Sequence, residues 1–327
     1  MIVSLKSDAD PSRVLREIVA RGLWVARVER DRSGRVAHYV IAPCSAAVDP
    51  DELARVEGVI GVTSSTPAWP LVDRQGPTVD IAGVRFGADR KVLLCGPCSI
   101  ESEADARGVA AELAAIGVAF LRGGAFKPRT SPYAFHGHGE IALGWMRRAA
   151  DAAGLRVVTE VMSEADVPVV AEHAHLVQIG SRNMQNFALL RAVGQTGRAA
   201  LLKRGMAATI EEWLLAGEHL LASGAAAVVF CERGVRGFDE STRNLLDLGA
   251  VALLAHVHRA PVVVDPSHGA GRRDLVAPLA RAGIAAGAAG VMVEVHDDPA
   301  SALSDGPQAL PMVDLARLAA EITGGGR

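Results

Sequence analysis

The 327-residue sequence has few aromatic residues, few cysteines and almost no net charge. Aromatic residues make up 4% of the chain, which together with many alanines favours a helix-rich protein. The cysteines, Cys44, Cys95, Cys98 and Cys231, are too few and too scattered for a disulfide framework. A formal net charge of -3 gives no overall reason to expect nucleic acid or an anionic membrane as a partner. Basic residues must therefore act in local clusters, on small anions.

Long apolar segments and nucleotide-binding motifs are also missing. No basic-then-apolar leader opens the sequence, and no run of about 18 apolar residues is free of a charge or a helix breaker. We therefore expect neither a secretory signal nor a membrane span, and we predict a cytoplasmic protein. The sequence has no P-loop, Rossmann glycine pattern, zinc-protease helix motif or nucleophile elbow. A nucleotide cofactor is not expected.

Residues 1–70 are predicted to form a small domain of their own. Strand patterns at 2–6, 23–28, 36–41 and 60–64 are combined with helix patterns at 11–20 and 51–56. The order β-α-β-β-α-β is that of a ferredoxin-like fold. A fold does not settle a role, so regulation and oligomer support both stay open from these residues alone. A Pro- and Gly-containing linker at 66–77 and a hairpin at 78–86 are predicted to follow.

The remaining part, residues 71–327, shows a repeated alternation of strands and helices. Apolar, β-rich runs lie at 92–94, 119–121, 156–159, 176–179, 200–202, 227–230, 261–264 and 290–293. Helical spacing occurs between them at 104–116, 139–153, 186–193, 209–223, 242–255 and 274–286. Eight strands alternating with helices favour a (β/α)₈ barrel over an open doubly wound sheet. The predicted fold class is α/β, with this barrel preceded in the chain by a small α+β domain.

Polar residues follow these apolar runs almost every time. Active sites of such barrels lie at the carboxyl ends of the strands, so these side chains should converge at one mouth. Each buried charge would be costly unless it met a partner or a ligand. The cationic members are Arg122, Lys127, Arg129, Arg182, Lys203 and Arg233. The members with metal-ligating atoms are Cys98, His268, Glu294 and Asp305.

The two groups indicate two kinds of ligand. The cations are more than one carboxylate requires, which favours two phosphorylated substrates. A thiol, an imidazole and two carboxylates suit a divalent metal ion. Taken singly, Cys98 is also typical of a small buried side chain, and Cys95-x-x-Cys98 of a redox or zinc pair. No second cysteine pair accompanies it, and the joint placement of the four residues favours the metal site.

Six motifs together resemble one enzyme family. They are Gly-Pro-Cys-Ser at 96–99, Arg-Gly-Gly-Ala-Phe-Lys-Pro-Arg-Thr-Ser at 122–131, Gly-Ser-Arg-Asn-Met-Gln-Asn at 180–186, Leu-Lys-Arg-Gly at 202–205, Asp-Pro-Ser-His-Gly at 265–269 and Val-Glu-Val-His at 293–296. Residues 78–315 resemble the 3-deoxy-D-arabino-heptulosonate 7-phosphate (DAHP) synthases, and the first 70 residues resemble the regulatory domain of their type Iβ branch. The Lys-Pro-Arg-Thr-Ser string is less similar to the barrel relatives that make 3-deoxy-octulosonate 8-phosphate.

The resemblance implies a metal-dependent condensation of phosphoenolpyruvate with D-erythrose 4-phosphate, the first step of the shikimate pathway. It implies that Cys98, His268, Glu294 and Asp305 bind the metal, with Mn²⁺ expected first and Fe²⁺, Co²⁺ or Zn²⁺ as alternatives. It implies that Arg122, Lys127, Arg182, Lys203 and Arg233 hold phosphoenolpyruvate near Glu160, and that Arg129, Thr130 and Ser131 take the erythrose phosphate. Pro128, Ser181 and Asp265 complete the predicted substrate-binding residues.

The predicted catalytic residues are Lys127, Cys98, His268 and Glu160. Lys127 is the first candidate for proton transfer to the new hydroxyl, with Glu160 and a metal-held water as competitors. The resemblance also implies inhibition by tyrosine or phenylalanine through the first domain, and a homotetramer. Two alternatives remain: the same chemistry on another aldose phosphate, such as arabinose 5-phosphate, and a non-catalytic amino-acid sensor.

Overall fold

The computed structural model describes residues 1–64, 68–127, 133 and 135–324, which divide into two units, Met1–Ala68 and Trp69–Arg327. The first unit contains β1 (Ile2–Leu5), α1 (Pro11–Ala20), β2 (Val25–Arg30), β3 (Val36–Ile41), α2 (Pro50–Ala54) and β4 (Val59–Thr63). Its antiparallel sheet has the order β2-β3-β1-β4, as in a ferredoxin-like fold. Both helices begin behind an aspartate, Asp10 or Asp49, whose side chain accepts a backbone hydrogen bond, and both have proline in the first turn.

A short helix and a hairpin open the second unit. They are α3 (Pro70–Gln75), β5 (Val79–Ile81) and β6 (Val84–Phe86). Helix α3 lies within the segment 66–77 that was predicted as a linker, and the sequence analysis did not predict this helix. The carboxylate of Glu218 accepts hydrogen bonds from the backbone N–H groups of Leu71 and Val72 at 3.0 Å. Because this partner lies far along the chain, the local sequence could not show that the helix start would be satisfied.

Eight parallel strands of the described residues close into a barrel, in the order β10-β11-β12-β13-β14-β7-β8-β9. They are β7 (Val92–Gly96), β8 (Phe120–Arg122), β9 (Arg156–Val161), β10 (Leu176–Ile179), β11 (Ala199–Lys203), β12 (Val228–Glu232), β13 (Val262–Val264) and β14 (Gly290–Glu294). The predicted fold class, a (β/α)₈ barrel preceded in the chain by a small α+β domain, is confirmed.

Helices surround the barrel. They are α4 (Glu103–Ile116), α5 (Glu140–Ala153), α6 (Val167–His173), α7 (Phe187–Gln195), α8 (Ile210–Ala222), α9 (Leu248–Ala252), α10 (Pro266–Ala270), α11 (Arg273–Ala285) and α12 (Met312–Ile322). The predicted helix at 242–255 starts later than expected. Asp247 caps α9, and Leu245 before it pairs with Val235 as a short antiparallel bridge. No helix in the described ranges is long and apolar enough to span a membrane.

Side chains inside the barrel form one core with the β5–β6 hairpin. Val79, Ile81 and Phe86 of the hairpin pack with residues near the strand starts, including Leu176 and Ala199. This end of the barrel is therefore filled with apolar side chains. A polar site can lie only at the opposite end, where the strands finish.

Candidate functional site

A cavity of about 440 Å³ opens at the carboxyl ends of the strands. The described residues that line it are Arg122, Lys127, Glu160, Gln178, Gly180, Ser181, Arg182, Lys203, Met206, Arg233, Arg236, Arg243, Asn244, His268 and Asp305. Cationic side chains outnumber the acidic ones in this set. The predicted cations Arg122, Lys127, Arg182, Lys203 and Arg233 are therefore brought together, and the cavity favours an anionic ligand.

Three predicted metal ligands form a compact group. The ligand atoms of Cys98, Glu294 and Asp305 all lie within 4.8 Å of one another. Cys98 follows β7 and Glu294 ends the neighbouring β14, where it pairs with Gly96. The Cys98 thiol lies 3.1 Å from Oδ2 of Asp305. Donor atoms this close can share one ion, since metal–ligand bonds of about 2.0–2.3 Å place ligands a few ångström apart.

The turn that carries Asp305 also supports Glu294. Asp305 has a φ of +51°, in the left-handed region, and directly precedes the 3₁₀ turn Gly306–Gln308. The amide Nε2 of Gln308 donates a hydrogen bond to Oε2 of Glu294, and Gln308 is only 1% exposed. Two of the candidate ligands are thus held by one short segment.

His268 lies beside this group rather than within it. Its Nε2 is 3.3 Å from Oε1 of Glu294, and its Nδ1 is 2.8 Å from Oδ2 of Asp265. Asp265 also caps α10 by accepting a hydrogen bond from the backbone N–H of His268. A carboxylate on Nδ1 places the proton there and leaves Nε2 as the atom available to a metal.

The three candidate metal ligands Cys98, Glu294 and Asp305, called the donor group from here on, have electrostatics that suit a bound cation. Burial raises the pKa of the Cys98 thiol to about 12, and nearby Glu294 adds to this effect. Lys127 acts in the opposite direction, with Nζ 2.8 Å from Sγ of Cys98. Burial by itself would raise the pKa of Glu294, but His268, Arg122 and Lys127 hold it well below its usual value. The donors therefore fit a divalent metal ion, which keeps a coordinating thiol deprotonated when bound.

The cations differ in how far they are already paired. Arg122 donates from Nη1 to Oε1 of Glu294 at 2.7 Å. Lys203 donates to Oδ2 of Asp265 at 2.5 Å. Arg233 is 8% exposed, and its buried Nη1 has no partner within the described residues. Burial also lowers the pKa of Arg233. Because buried polar atoms in folded proteins nearly always have a partner, this donor is available for an anionic ligand.

Asp265 occupies a different position from the one its sequence context suggested. It was predicted among the substrate-binding residues, but it is fully buried and does not line the cavity. Its carboxylate instead joins Lys203 to His268. Burial alone would raise the pKa of Asp265, and the two neighbours outweigh this effect and hold it well below the usual range. Its contribution to binding is therefore indirect, through the side chains that it holds.

Lys127 and Glu160 both face the cavity. The ammonium group of Lys127 donates to the carbonyl oxygen of Cys98 at 2.9 Å, in addition to its contact with the thiol. Glu160 lies on β9 and accepts a hydrogen bond from Nε2 of Gln178 at 2.9 Å. Ser181 and Arg182 line the cavity from a 3₁₀ turn that follows β10. Four predicted residues, Pro128, Arg129, Thr130 and Ser131, lie outside the described residues.

Sequence reasoning missed several lining residues. They are Gln178, Gly180, Met206, Arg236, Arg243 and Asn244. Arg243 lies on a segment well beyond the end of β12, with Nη2 3.9 Å from Oδ1 of Asp305, so a search limited to strand ends did not find it. Arg204 directly follows β11 but does not line the cavity. It forms ion pairs with Glu232 and Asp247 instead.

Known proteins are similar to this chain over most of its length. A sequence model of the DAHP synthetase I family matches residues 66–324. A phospho-2-dehydro-3-deoxyheptonate aldolase of Thermotoga maritima is 46% identical over 264 residues, 80% of this chain and 78% of the relative. A 2-dehydro-3-deoxyphosphooctonate aldolase of Methylibium petroleiphilum is 33% identical over 267 residues, 73% of this chain and 91% of the relative. The crystal structure of a Thermotoga maritima DAHP synthase, 40% identical, aligns with a TM-score of 0.78 and covers 99% of this chain and 96% of that one.

Proposed function

Since the chain belongs to the DAHP synthetase I family, we propose that it condenses phosphoenolpyruvate with D-erythrose 4-phosphate. The products are 3-deoxy-D-arabino-heptulosonate 7-phosphate and inorganic phosphate, and the reaction is the first step of the shikimate pathway. One observation supports this proposal most strongly: the cationic cavity lies directly beside the Cys98, Glu294 and Asp305 donor group. A site for two phosphorylated substrates requires the first feature, and activation of an aldehyde by a metal requires the second.

The cations of the cavity provide the proposed substrate contacts. Arg233 and Lys203 are proposed to bind a phosphate or carboxylate group of phosphoenolpyruvate. The buried Nη1 of Arg233, which has no partner among the described residues, supports this assignment. Arg122, Lys127 and Arg182 offer further positive charge, and Ser181 lies beside them. The erythrose phosphate is assigned to Arg129, Thr130 and Ser131, following Pro128, by their motif in the sequence. The positive charge of these side chains would offset the repulsion between two anionic substrates.

The metal is proposed to be held by Cys98, His268, Glu294 and Asp305, with Mn²⁺ as the first candidate and Fe²⁺, Co²⁺ or Zn²⁺ as alternatives. When bound, it supplies a Lewis acid for the aldehyde oxygen. In the proposed reaction, carbon 3 of the enol phosphate bonds to the aldehyde carbon. Water adds at carbon 2 and loses a proton, and phosphate leaves as the bond between carbon 2 and its oxygen breaks. Lys127 is proposed to give a proton to the new hydroxyl, because its ammonium group lies at the boundary of the donor group and the cavity. Glu160 is the competing group.

Removal and return of the metal test the activity. After treatment with a chelator, the purified protein is expected to stop consuming phosphoenolpyruvate in the presence of erythrose 4-phosphate, and to recover with Mn²⁺. Loss of the phosphoenolpyruvate absorbance follows the reaction, and the product mass identifies the aldose. Persistent absorbance with every divalent ion would exclude erythrose 4-phosphate as the substrate.

Arabinose 5-phosphate is the matched comparison in the same assay. The octonate aldolase relative, 33% identical, favours it as a second candidate substrate. A product heavier by one CH₂O unit would establish this alternative. If neither aldose gives a product, the amino-acid sensor is the remaining alternative. The donor group and the cationic cavity argue against it.

The first unit is proposed to regulate the second. Tyrosine or phenylalanine is the proposed inhibitor, by the resemblance to the type Iβ branch. Each unit has its own hydrophobic core, which supports independent folding. Removal of residues 1–68 is therefore expected to leave the condensation intact and abolish the inhibition, as measured by initial rates with and without each amino acid. Inhibition that survives the truncation would place the effector site in the second unit. A homotetramer and a cytoplasmic location remain predictions.

A further inference from the structure

Glu160 differs from Glu294 and Asp265 because none of the cations that the structure describes is paired with it. Glu294 has Arg122 at 2.7 Å, and Asp265 has Lys203 at 2.5 Å. Within the described residues, no cationic side chain forms an ion pair with Glu160, although several line the same cavity. Its described hydrogen-bond donor is the neutral amide of Gln178, at 2.9 Å. An amide fixes a carboxylate by a hydrogen bond and supplies no opposite charge.

Gln178 is placed for this contact by the barrel itself. It lies on β10 directly beside Glu160 on β9 in the parallel register, and it is 5% exposed. The donor must be Nε2, because the amide oxygen would repel a carboxylate. A side chain held by a strand and buried against its neighbours has little freedom to turn away, so the contact is a fixed part of the site.

Gly180 leaves room for the same carboxylate. An added Cβ at Gly180 would overlap Oε1 of Glu160. The backbone of Gly180 does not itself require glycine, since its φ of -70° and ψ of 158° are open to any residue. The space beside Gly180 is thus the space that the carboxylate occupies.

We propose that Gln178 and Gly180 are positioning residues, which together hold the Glu160 carboxylate in one orientation toward the bound substrates. Gln178 fixes one oxygen by a hydrogen bond, and Gly180 leaves room for the other. This inference rests on the proposed condensation. It assigns both residues to the turnover of bound substrate rather than to the capture of phosphate, which the cations perform.

The test uses the full, metal-saturated chain and the variants Gln178→Leu and Gly180→Ala. Each is expected to lower kcat by about 30-fold, because a displacement of about 1 Å in a reacting group can cost about 100-fold. The KM for phosphoenolpyruvate should change little, since the cations are untouched. Gly180→Ala should keep the fold, because a flexible carboxylate, not backbone, gives way to the methyl group. It therefore tests the proposal even if Gln178→Leu fails to fold.

The variant Glu160→Ala is the background for two double variants. With the carboxylate gone, adding Gln178→Leu or Gly180→Ala should lower kcat no further, because both act through Glu160. Gln75→Leu is the matched control, since this glutamine binds the Val228 backbone near the start of β12 and should leave kcat unchanged.

The outcomes separate the inference from the proposed function. If the unaltered enzyme is active and the single variants keep its kcat, the positioning role is wrong. It is also wrong if each substitution lowers kcat as much on the Glu160→Ala background as it does in the unaltered enzyme. A raised KM with an unchanged kcat would overturn it as well. Inactivity of the unaltered enzyme with both aldose phosphates would remove the proposed function, and this inference with it.

Discussion

Replacement of Cys98 by alanine is expected to abolish metal binding and to lower kcat on the order of 1000-fold, as loss of several kcal/mol of Lewis-acid stabilisation would. The thiol lies within 4.8 Å of both Glu294 and Asp305 ligand atoms, so its loss opens the donor group on one side. Burial that raises its pKa to about 12 disfavours the thiolate unless a cation balances it, and bound metal is such a cation. Metal content after dialysis, measured beside initial rates, checks both expectations.

Cys95→Ala provides the matched control. Cys95 is another buried cysteine, three residues earlier and in the apolar core outside the barrel lumen, and it is not part of the donor group. This variant should keep its metal and most of its activity. A Cys98→Ala protein with a full complement of metal would show that the thiol is not a ligand. Titration with Co²⁺ gives a second readout, because the thiolate-to-cobalt absorption should be absent in that variant alone.

The variant Asp265→Asn is expected to lose about 3–5 kcal/mol of stability at pH 7, since it leaves the charge of Lys203 buried without its partner. Asp265 is fully buried and holds both Lys203 and His268. The pKa of Asp265 in the folded protein lies well below the ordinary value of 3.8. Ionised Asp265 therefore stabilises the fold at every pH above the pKa that this residue has in the unfolded chain. The difference from the unaltered protein should therefore shrink as the pH falls below about 4.

Urea unfolding at pH 7 and under acid conditions measures this difference. Asp274→Asn is the control, because Asp274 also has a lowered pKa but pairs with Arg272 at an exposed position. Exposed pairs contribute little, so that variant should leave the stability close to that of the unaltered protein. An Asp265→Asn protein as stable as the original at pH 7 would mean that Lys203 finds another partner when the carboxylate is lost.

Much of the barrel could be predicted because its strands are buried on both faces. Such strands appear in sequence as short continuous apolar runs, and the run predicted at 176–179 coincides with β10 (Leu176–Ile179). The start of α9 could not be predicted the same way. Residues 242–246 have helical spacing, but Leu245 forms an antiparallel bridge with Val235 and the helix begins only at Leu248. A contact between distant residues overrides the local pattern at that point.

The candidate site was predictable in composition but not in orientation. Position at a strand end identified Cys98, Glu294 and the cations, because charged residues are rare in buried strands unless a ligand needs them. It did not distinguish Asp265, which is fully buried and does not line the cavity, from residues that face into it. Gln178 was missed for a different reason. A neutral amide in an apolar strand carries no charge signal, and its importance depends on Glu160 in the neighbouring strand.

The left-handed backbone at Asp305 limits how this protein can diverge. At a φ of +51°, most side chains cost about 1–2 kcal/mol, whereas aspartate and asparagine are tolerated better. Glutamate would offer the same carboxylate, but on a longer stem and on a backbone that suits it less well. Substitutions that preserve an oxygen ligand are therefore limited mainly to asparagine. A descendant with a different metal preference would more readily change Cys98 or His268, whose backbones lie outside this region.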